Sequence, residues 1–548
     1  MRPIQKPEQT SCPDLSGYCI TRMHYVIGSG PSGVAGAAAL IERGHEVTLL
    51  DAGLTLEPER EARRLRMAMV DADEWREEDV AASRAPLERD VDRATKLHHG
   101  SDYPYRPIAN AIAINYGNLG VRSSFAKGGL SNVWGASLLP FRSEDTGDWP
   151  VPTAELESAH AAVLEMLPVA GVRDQLTEVF PLPVRKLHVP RSGKQIERLM
   201  ATLTRNQAKL AGRGITFGRS RLAVQFSGKS PGESCNYCGQ CLQGCPRDLI
   251  YSSRHSLEKL IASGRCTYVK DIVVEKISER EKSVEIQAVG PSGPTRLNGE
   301  RVFLAAGVFS STAILLRSLG WFDRPVEIAD AQYYVFPLLQ LGSTANVSRE
   351  RLHTLAQVFL EISHEDISPH LVHLQVYGYN NLLGKLLEHK LGRLWRYFPS
   401  DSVLGRLLLV QGYLHSKHSG HITACLRRRR DIDTLELRGI ENPDSADRVS
   451  RVIRLLRWQS LALGALPVAP LLQMTSPGRG FHCGGSFPMA REPVPGQTDL
   501  LGRPAGWART HVLDATVFPS IPATTITQTV MANAYRIGAL ASQLDAFS

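Results

Sequence analysis

The first apolar run, Tyr25-Val26-Ile27, has the length of a buried strand and stops at Gly28. An alanine-rich stretch from Val34 to Ile41 predicts a helix, and Val47-Thr48-Leu49-Leu50 predicts a second strand ending at Asp51. The same order returns at Arg301-Val302-Phe303-Leu304-Ala305-Ala306-Gly307, an apolar strand running into glycine and then a helix with Ser310, Ser311 and Thr312. Shorter strands are predicted at 267–269 and 284–289, and a helix from Thr525 to Leu540.

Other stretches differ in style. Glu57 to Arg93 is charged with mixed signs and predicts solvated helices over the outside of the nucleotide region. From 152 to 219 the pattern is helical and mixed, broken at Phe180-Pro181-Leu182-Pro183. From 332 to 472 there is one predicted strand, His373 to Tyr379, and two amphipathic basic segments. In the first, Leu382, Leu383, Leu386, Leu387, Leu391, Leu394, Trp395 and Phe398 oppose Lys385, Lys390, Arg393 and Arg396. In the second, Val449, Val452, Ile453 and Leu456 oppose Arg448, Arg451, Arg454 and Arg457. Either a core-facing helix or docking on an anionic membrane explains such segments.

Chemistry enters at the first turn. In Gly28-Ser29-Gly30-Pro31-Ser32-Gly33, Gly28 permits the tight turn, Gly30 admits a pyrophosphate to the backbone, and Gly33 lets the helix approach the strand. Ser32 lies at the helix N-terminus, and Asp51, about 20 residues on, is placed to hold a ribose hydroxyl. The turn reads as a dinucleotide site. The expected fold is therefore α/β: a discontinuous Rossmann-like nucleotide domain (23–151, 220–331 and 473–548) with an α+β substrate-binding domain (152–219 and 332–472). Residues 1–22, polar and carrying Pro3, Pro7 and Pro13, are expected to be a disordered extension.

At 548 residues the chain exceeds one ordinary core. Its 43% hydrophobic and 22% charged residues mark a globular protein, and no apolar run is long enough to span a bilayer. The net charge of +8 suits an acidic partner, but no basic run is interleaved with aromatics, so no nucleic-acid role is expected. Residues 1–21 lack the order of a signal peptide, and the expected location is the cytoplasm, with peripheral contact at the inner membrane face if the amphipathic segments dock.

Nine cysteines in that compartment read as ligands or free thiols rather than disulfides. Four of them, Cys235, Cys238, Cys241 and Cys245, form C-x2-C-x2-C-x3-C-P, the run that holds iron-sulfur (4Fe-4S) clusters in bacterial ferredoxins. Zinc, or metal-free thiols packing the loop, are the other readings. A cluster would pass electrons singly to a protein or quinone acceptor.

Two further motifs remain: Lys127-Gly128-Gly129-Leu130-Ser131-Asn132-Val133-Trp134-Gly135, and the C-terminal pair of His482-Cys483-Gly484-Gly485 and Val512-Leu513-Asp514-Ala515-Thr516-Val517-Phe518-Pro519. Together with the first turn and Leu304-Ala305-Ala306-Gly307, they resemble, in the same order, the glucose-methanol-choline (GMC) family of FAD oxidoreductases. The resemblance covers the nucleotide domain and hardly touches 152–219 and 332–472.

The resemblance implies FAD contacts at Gly28, Gly30, Ser32, Gly33, Asp51, Gly129, Ser131, Asn132, Trp134, Ala306, Gly307, Asp514 and Ala515. It implies oxidation of an alcohol carbon by hydride transfer to the flavin, with His482 as acid/base; imidazole titrates near neutral pH and suits the task. The chain departs from the family's pattern twice. One residue rather than two separates His482 from Gly484, and Thr525 stands where the second catalytic position is usually His or Asn. The substrate is expected to be a bulky alcohol, a glycan or a lipid-linked molecule; a redox-neutral isomerase or epimerase, and an electron-transfer subunit with a degraded site, are the alternatives.

Overall fold

The computed structural model describes residues 23–84, 96–109, 111–379, 392, 400–430 and 432–543. At its centre lies a parallel sheet in the order Thr510–Val512, Arg301–Leu304, His24–Ile27, Val47–Leu50, Cys266–Val269. Every neighbouring pair is parallel. Parallel strands are covered on both faces, which is why these runs are almost continuously apolar. Helix Pro31–Glu42 follows the first strand and packs on the C-terminal helix Ile526–Ala541, while Val308–Ser318 follows the strand at 301–304. A three-stranded antiparallel meander, Val273–Glu279, Val284–Gly290 and Gly293–Gly299, flanks this layer.

Two further sheets build the rest. A seven-stranded sheet runs Ala465–Pro467, Tyr333–Gln340, Leu407–Tyr413, Ser368–Tyr377, Val358–His364, Ile215–Arg219, with Gln473–Met474 also paired to Tyr333–Gln340. One face, carrying Tyr334, Phe336, Leu374, Val376, Leu408 and Val410, is closed by helices Lys194–Arg205 and Pro443–Trp458 in a second core. A mixed five-stranded sheet orders Cys483–Gly484, Val326–Asp330, His421–Arg429, Ile432–Ile440 and Ala113–Asn115.

That mixed sheet takes strands from both of the domains drawn on the sequence, so its hydrogen bonds cross the expected boundaries near 331 and 472. Helix Thr153–Glu165, expected in the substrate domain, buries Leu156, Ala159, Val163 and Leu164 in the core of the nucleotide half. Helical periodicity marks an apolar face but not which neighbour receives it.

The second amphipathic basic segment is helix Pro443–Trp458, and Val449, Val452, Ile453 and Leu456 are buried under the seven-stranded sheet. Its apolar face is therefore core, which removes it as a membrane-docking face. The first, Leu382 to Phe398, and the extension 1–22 lie outside the described residues. The charged stretch after Asp51 does form helices, Pro58–Met69 and Glu77–Arg84. No helix among the described residues is long and apolar enough to cross a membrane.

Candidate functional site

A cavity opens at the C-terminal ends of the central strands. Ligands bind at this end in open parallel sheets because the strand-to-helix turns leave helix N-termini facing the gap. Gly28 has φ +99°, and a Cβ on it would fall 2.5 Å from Ala305 O. A Cβ on Gly33 would fall 1.9 Å from Gly28 O, so the helix can sit on its own turn only without one. Gly30 behaves differently: nothing lies within 4 Å of its Cβ position, and it faces the cavity. Helix Pro31–Glu42 has no side-chain N-cap, so its free N–H groups meet whatever occupies that space.

Asp51 lines the same cavity and is anchored by the Ser29 hydroxyl and by Tyr268 OH at 3.1 Å. Burial raises its carboxyl to about 6 against the lowering pull of the Ser29 and Tyr268 bonds. Ser29 Oγ also accepts from Gly128 N–H at 2.8 Å, locking the second glycine pair against the first turn. Gly129 and Leu130 line the cavity, as do Ser32, Ala306, Gly307, Asp514 and Ala515. Asp514 accepts from Gly307 N–H at 2.9 Å, Ser311 Oγ at 2.5 Å and Thr516 N–H at 3.0 Å, so one carboxylate holds two cavity loops together.

Ser131, Asn132 and Trp134 are placed otherwise. Ser131 Oγ donates to Gly128 O at 2.5 Å, Asn132 Nδ2 to Lys127 O and Gly129 O at 3.0 and 2.8 Å, and Trp134 Nε1 to Tyr251 O at 2.7 Å. Their polar atoms brace the loop, and none of the three lines the cavity. A second brace escaped the sequence reading: Ser253 Oγ donates to Ser29 O at 2.8 Å, and Ser252 Oγ to Asn132 Oδ1 at 3.0 Å. The loop Val121–Ala126 and Ile272–Val274 also line the cavity without a motif to announce them.

His482 stands beside the cavity, between the lining residues Phe481 and Cys483. Phe481 has φ +57°, a strained conformation for an aromatic residue, and donates its N–H to Gly478 O at 3.0 Å. The imidazole stacks on Tyr413 with centroids 4.8 Å apart, and its Nδ1 is buried without a partner. Burial, and then His373, push it down to about 3, so the ring is neutral at physiological pH. Gly485, three residues beyond His482, has φ +85° and donates to Ala515 O at 2.9 Å.

Thr525 is 4% exposed at the start of helix Ile526–Ala541. Its hydroxyl accepts from Leu139 N–H at 2.8 Å and donates its one proton to Leu139 O at 3.3 Å. Behind His482 the seven-stranded sheet presents a polar face that the sequence reading passed over. His373 pairs with Glu361 at 2.8 Å, Gln375 meets His373 at 3.1 Å, and Tyr377 OH donates to Gln375 and Gln411 at 2.9 and 3.2 Å. His373, Gln375 and Tyr377 alternate with apolar Leu374 and Val376, a period-two signal legible in the sequence.

A separate cavity of about 340 Å3 is lined by all four motif cysteines with Trp75, Asn236, Pro246, Arg247 and Leu249. Backbone N–H groups address every sulfur: Tyr237 that of Cys235 at 3.4 Å, Gln240 that of Cys238, Thr354 that of Cys241, and Arg247 and Leu249 that of Cys245. Donors aimed at sulfur favour thiolate. Burial opposes them, raising Cys235 to about 11 and Cys245 to about 12, so a bound cationic centre is what would hold the charged form. Among the described residues no three His, Cys, Asp or Glu groups converge closely enough for one metal ion. A zinc ion would draw four sulfurs to about 3.8 Å from one another, given a Zn–S bond of about 2.3 Å. Half-buried Lys96 lies beside Cys241 and Cys245 and donates Nζ to Trp134 O at 2.8 Å, bridging this pocket to the loop of the large cavity.

Solved structures share this arrangement over the whole chain. Pyridoxine 4-oxidase from Mesorbium loti superposes with TM-score 0.56 at 14% identity, covering 96% of this chain and 100% of that one. A mutant of the Aspergillus oryzae RIB40 formate oxidase, related to FAD modification, superposes with TM-score 0.58 at 12% identity, covering 97% and 100%. The chain has the GMC oxidoreductase fold. No family model matches the sequence, and no curated protein does. The fold accounts for the long excursion between the first and last central strands, which leaves the nucleotide turn at one end of the sequence and His482 near the other.

Proposed function

We propose that the protein is an FAD-dependent oxidoreductase of GMC type acting on the CH–OH group of an alcohol. The observation that carries this is His482: a neutral, half-buried imidazole whose Nδ1 is buried without a partner, held by a strained Phe481 beside the cavity. The residues present fit FAD. Gly30 and the uncapped helix N-terminus would take the pyrophosphate, Asp51 the ribose, and Gly129, Leu130, Ala515 and Thr527 border the remaining space. FAD bound there supplies the hydride acceptor.

The protein supplies the proton chemistry and the geometry. His482 takes the hydroxyl proton as the carbon is oxidised, and Tyr413, stacked on it, keeps the ring from turning. The buried His373–Gln375–Tyr377–Gln411 network backs the stacked pair of Tyr413 and His482. Thr525 holds the Leu139 backbone, so His482 acts without a second base. The bulky substrate expected from the amphipathic segments loses one of its two supports, because helix Pro443–Trp458 is core.

The local spacing of the four cysteines, the N–H donors aimed at their sulfurs and Lys96 beside them support an iron-sulfur cluster in this pocket. On this reading electrons leave the flavin one at a time for a protein or quinone acceptor. Anaerobic reduction of the flavin by a panel of sugars, sterols and long-chain alcohols tests the first claim. Iron and sulfide analysis of anaerobically purified protein tests the second, and their absence removes the cluster without touching the flavin chemistry.

A further inference from the structure

Six large apolar side chains are exposed around one edge of the seven-stranded sheet: Leu341, Trp458, Leu461, Leu466, Leu471 and Met474. Trp458 is 81% and Leu461 77% exposed, the extreme of the set. Backbone contacts make the edge continuous. Leu466 lies opposite Leu339, Met474 opposite Tyr334, and Leu341 N–H donates to Gly464 O at 2.9 Å. Trp458 ends helix Pro443–Trp458, and Leu461 lies on the turn Ser460–Leu463 that leads to strand Ala465–Pro467. The core does not need them, because the helix already buries Val449, Val452, Ile453 and Leu456.

The rim is basic. Arg454 and Arg457 are exposed on the helix turns that end at Trp458. Arg406 reaches Leu341 O at 3.4 Å, and Arg198 donates to Ser343 O at 2.7 Å. The sequence holds no Asp or Glu between Asp447 and Glu492, while Arg448, Arg451, Arg454, Arg457, Arg479 and Arg491 fall in that interval. Tryptophan and leucine ringed by arginine is the composition of a surface that enters the headgroup layer of an anionic membrane.

Charge selects among occupants. A second copy of this chain would bring arginine against arginine across a two-fold interface. The chain's own residues 380–399, outside the described set, carry Lys385, Lys390, Arg393 and Arg396 against Glu388, and so share the sign of the rim. We propose that this sheet edge docks the protein on an anionic lipid bilayer, with Trp458, Leu461 and Leu466 entering the headgroup layer and Arg454 and Arg457 meeting lipid phosphates. The site is distinct from the buried helix face that the sequence had offered for the same purpose.

The test is flotation of the full chain with phosphatidylcholine vesicles, with and without phosphatidylglycerol, beside analytical ultracentrifugation of the free protein. Binding is expected only to the anionic vesicles, weakened roughly tenfold or more by raising salt from 0.1 to 1 M, where screening shortens to about 3 Å. Trp458→Ser with Leu461→Ser should abolish it, and Arg454→Glu with Arg457→Glu should weaken it at least tenfold, both with an unchanged circular dichroism spectrum. Binding retained by the Trp458→Ser/Leu461→Ser variant, equal binding to neutral vesicles, or no binding at all overturns the proposal. So does a dimer in solution that the same substitutions dissociate, which would make the edge an interface between copies. Loss on Lys385→Glu/Lys390→Glu with retention in the sheet-edge variants would overturn it as well.

Discussion

The two halves of this molecule are built to different tolerances. In the nucleotide half, backbone approaches backbone: the Gly33 Cβ position lies 1.9 Å from Gly28 O, and Asp514 draws three donors from two loops. In the other half, side chains make the fit, through Glu361, His373, Gln375, Tyr377 and Gln411 on one face of a sheet whose other face is apolar. Backbone contacts leave one residue type at a position, whereas side-chain networks can be rebuilt around different partners.

The sharpest way to break this contrast is Gly33→Val. A side chain there meets backbone that cannot yield, so the variant should lose FAD altogether and purify without flavin absorbance, whereas Gln411→Leu in the other half should keep its full complement. Next in size, Cys241→Ser should strip iron and sulfide while leaving substrate reduction of the flavin in a single turnover within about twofold, because the cysteine pocket is a separate cavity. Retention of iron at wild-type stoichiometry would count against the four-cysteine site.

His482→Gln should lower kcat/KM by roughly 10²–10⁴-fold with FAD content unchanged. Because burial, and then His373, hold this imidazole near 3, the acid limb of the kcat/KM profile should lie below pH 5; a limb near 6.5 would mean that the ring is solvated in the working enzyme.

Stability should show its own pH signature in the half built on side-chain contacts. His415 accepts from Lys417 N–H at 3.1 Å through Nδ1, and its Nε2 meets Asp145 O at 3.2 Å. Burial, and then stacked His370, lower it to about 3, and burial lowers neighbouring His418 to about 4. A histidine depressed on folding contributes fully above its unfolded value of about 6.5 and loses that contribution as pH falls toward the folded one. Tm should therefore drop between pH 7 and 5, and His415→Asn should flatten the drop. The smallest effect is expected from Thr525→Val. Losing two bonds to the Leu139 peptide should cost about 1–3 kcal/mol in thermal unfolding, with kcat within tenfold; a hundredfold fall would restore Thr525 to the chemistry.

The same contrast explains what could be read early. Gly28 and Gly33 were legible because so tight a strand-to-helix turn admits few residues, and their spacing is local. The cysteine run was legible as a candidate set because its spacing is local too. Ser131, Asn132 and Trp134 were legible as a segment but not as atoms: they belong to the loop against the cavity, yet their polar groups brace it from behind. His482 was singled out through its neighbours, while the φ of +85° at Gly485 shows only in the fold. The Glu361–His373 pair joins neighbouring strands whose register no local pattern fixes.

By itself the sequence determined the parallel layer and its glycine turn, and it offered the histidine and the four cysteines as candidates. Each of these depends on residues close together in the chain, where sterics and spacing act directly. Tertiary structure alone decided that helix Thr153–Glu165 serves the nucleotide core, that the basic helix Pro443–Trp458 turns its apolar face inward, and that Thr525 spends its hydroxyl on Leu139. It also brought Trp458, Leu466 and Leu341 to one exposed edge. An apolar face has to be buried somewhere, but which partner buries it is settled by the packing of elements hundreds of residues apart.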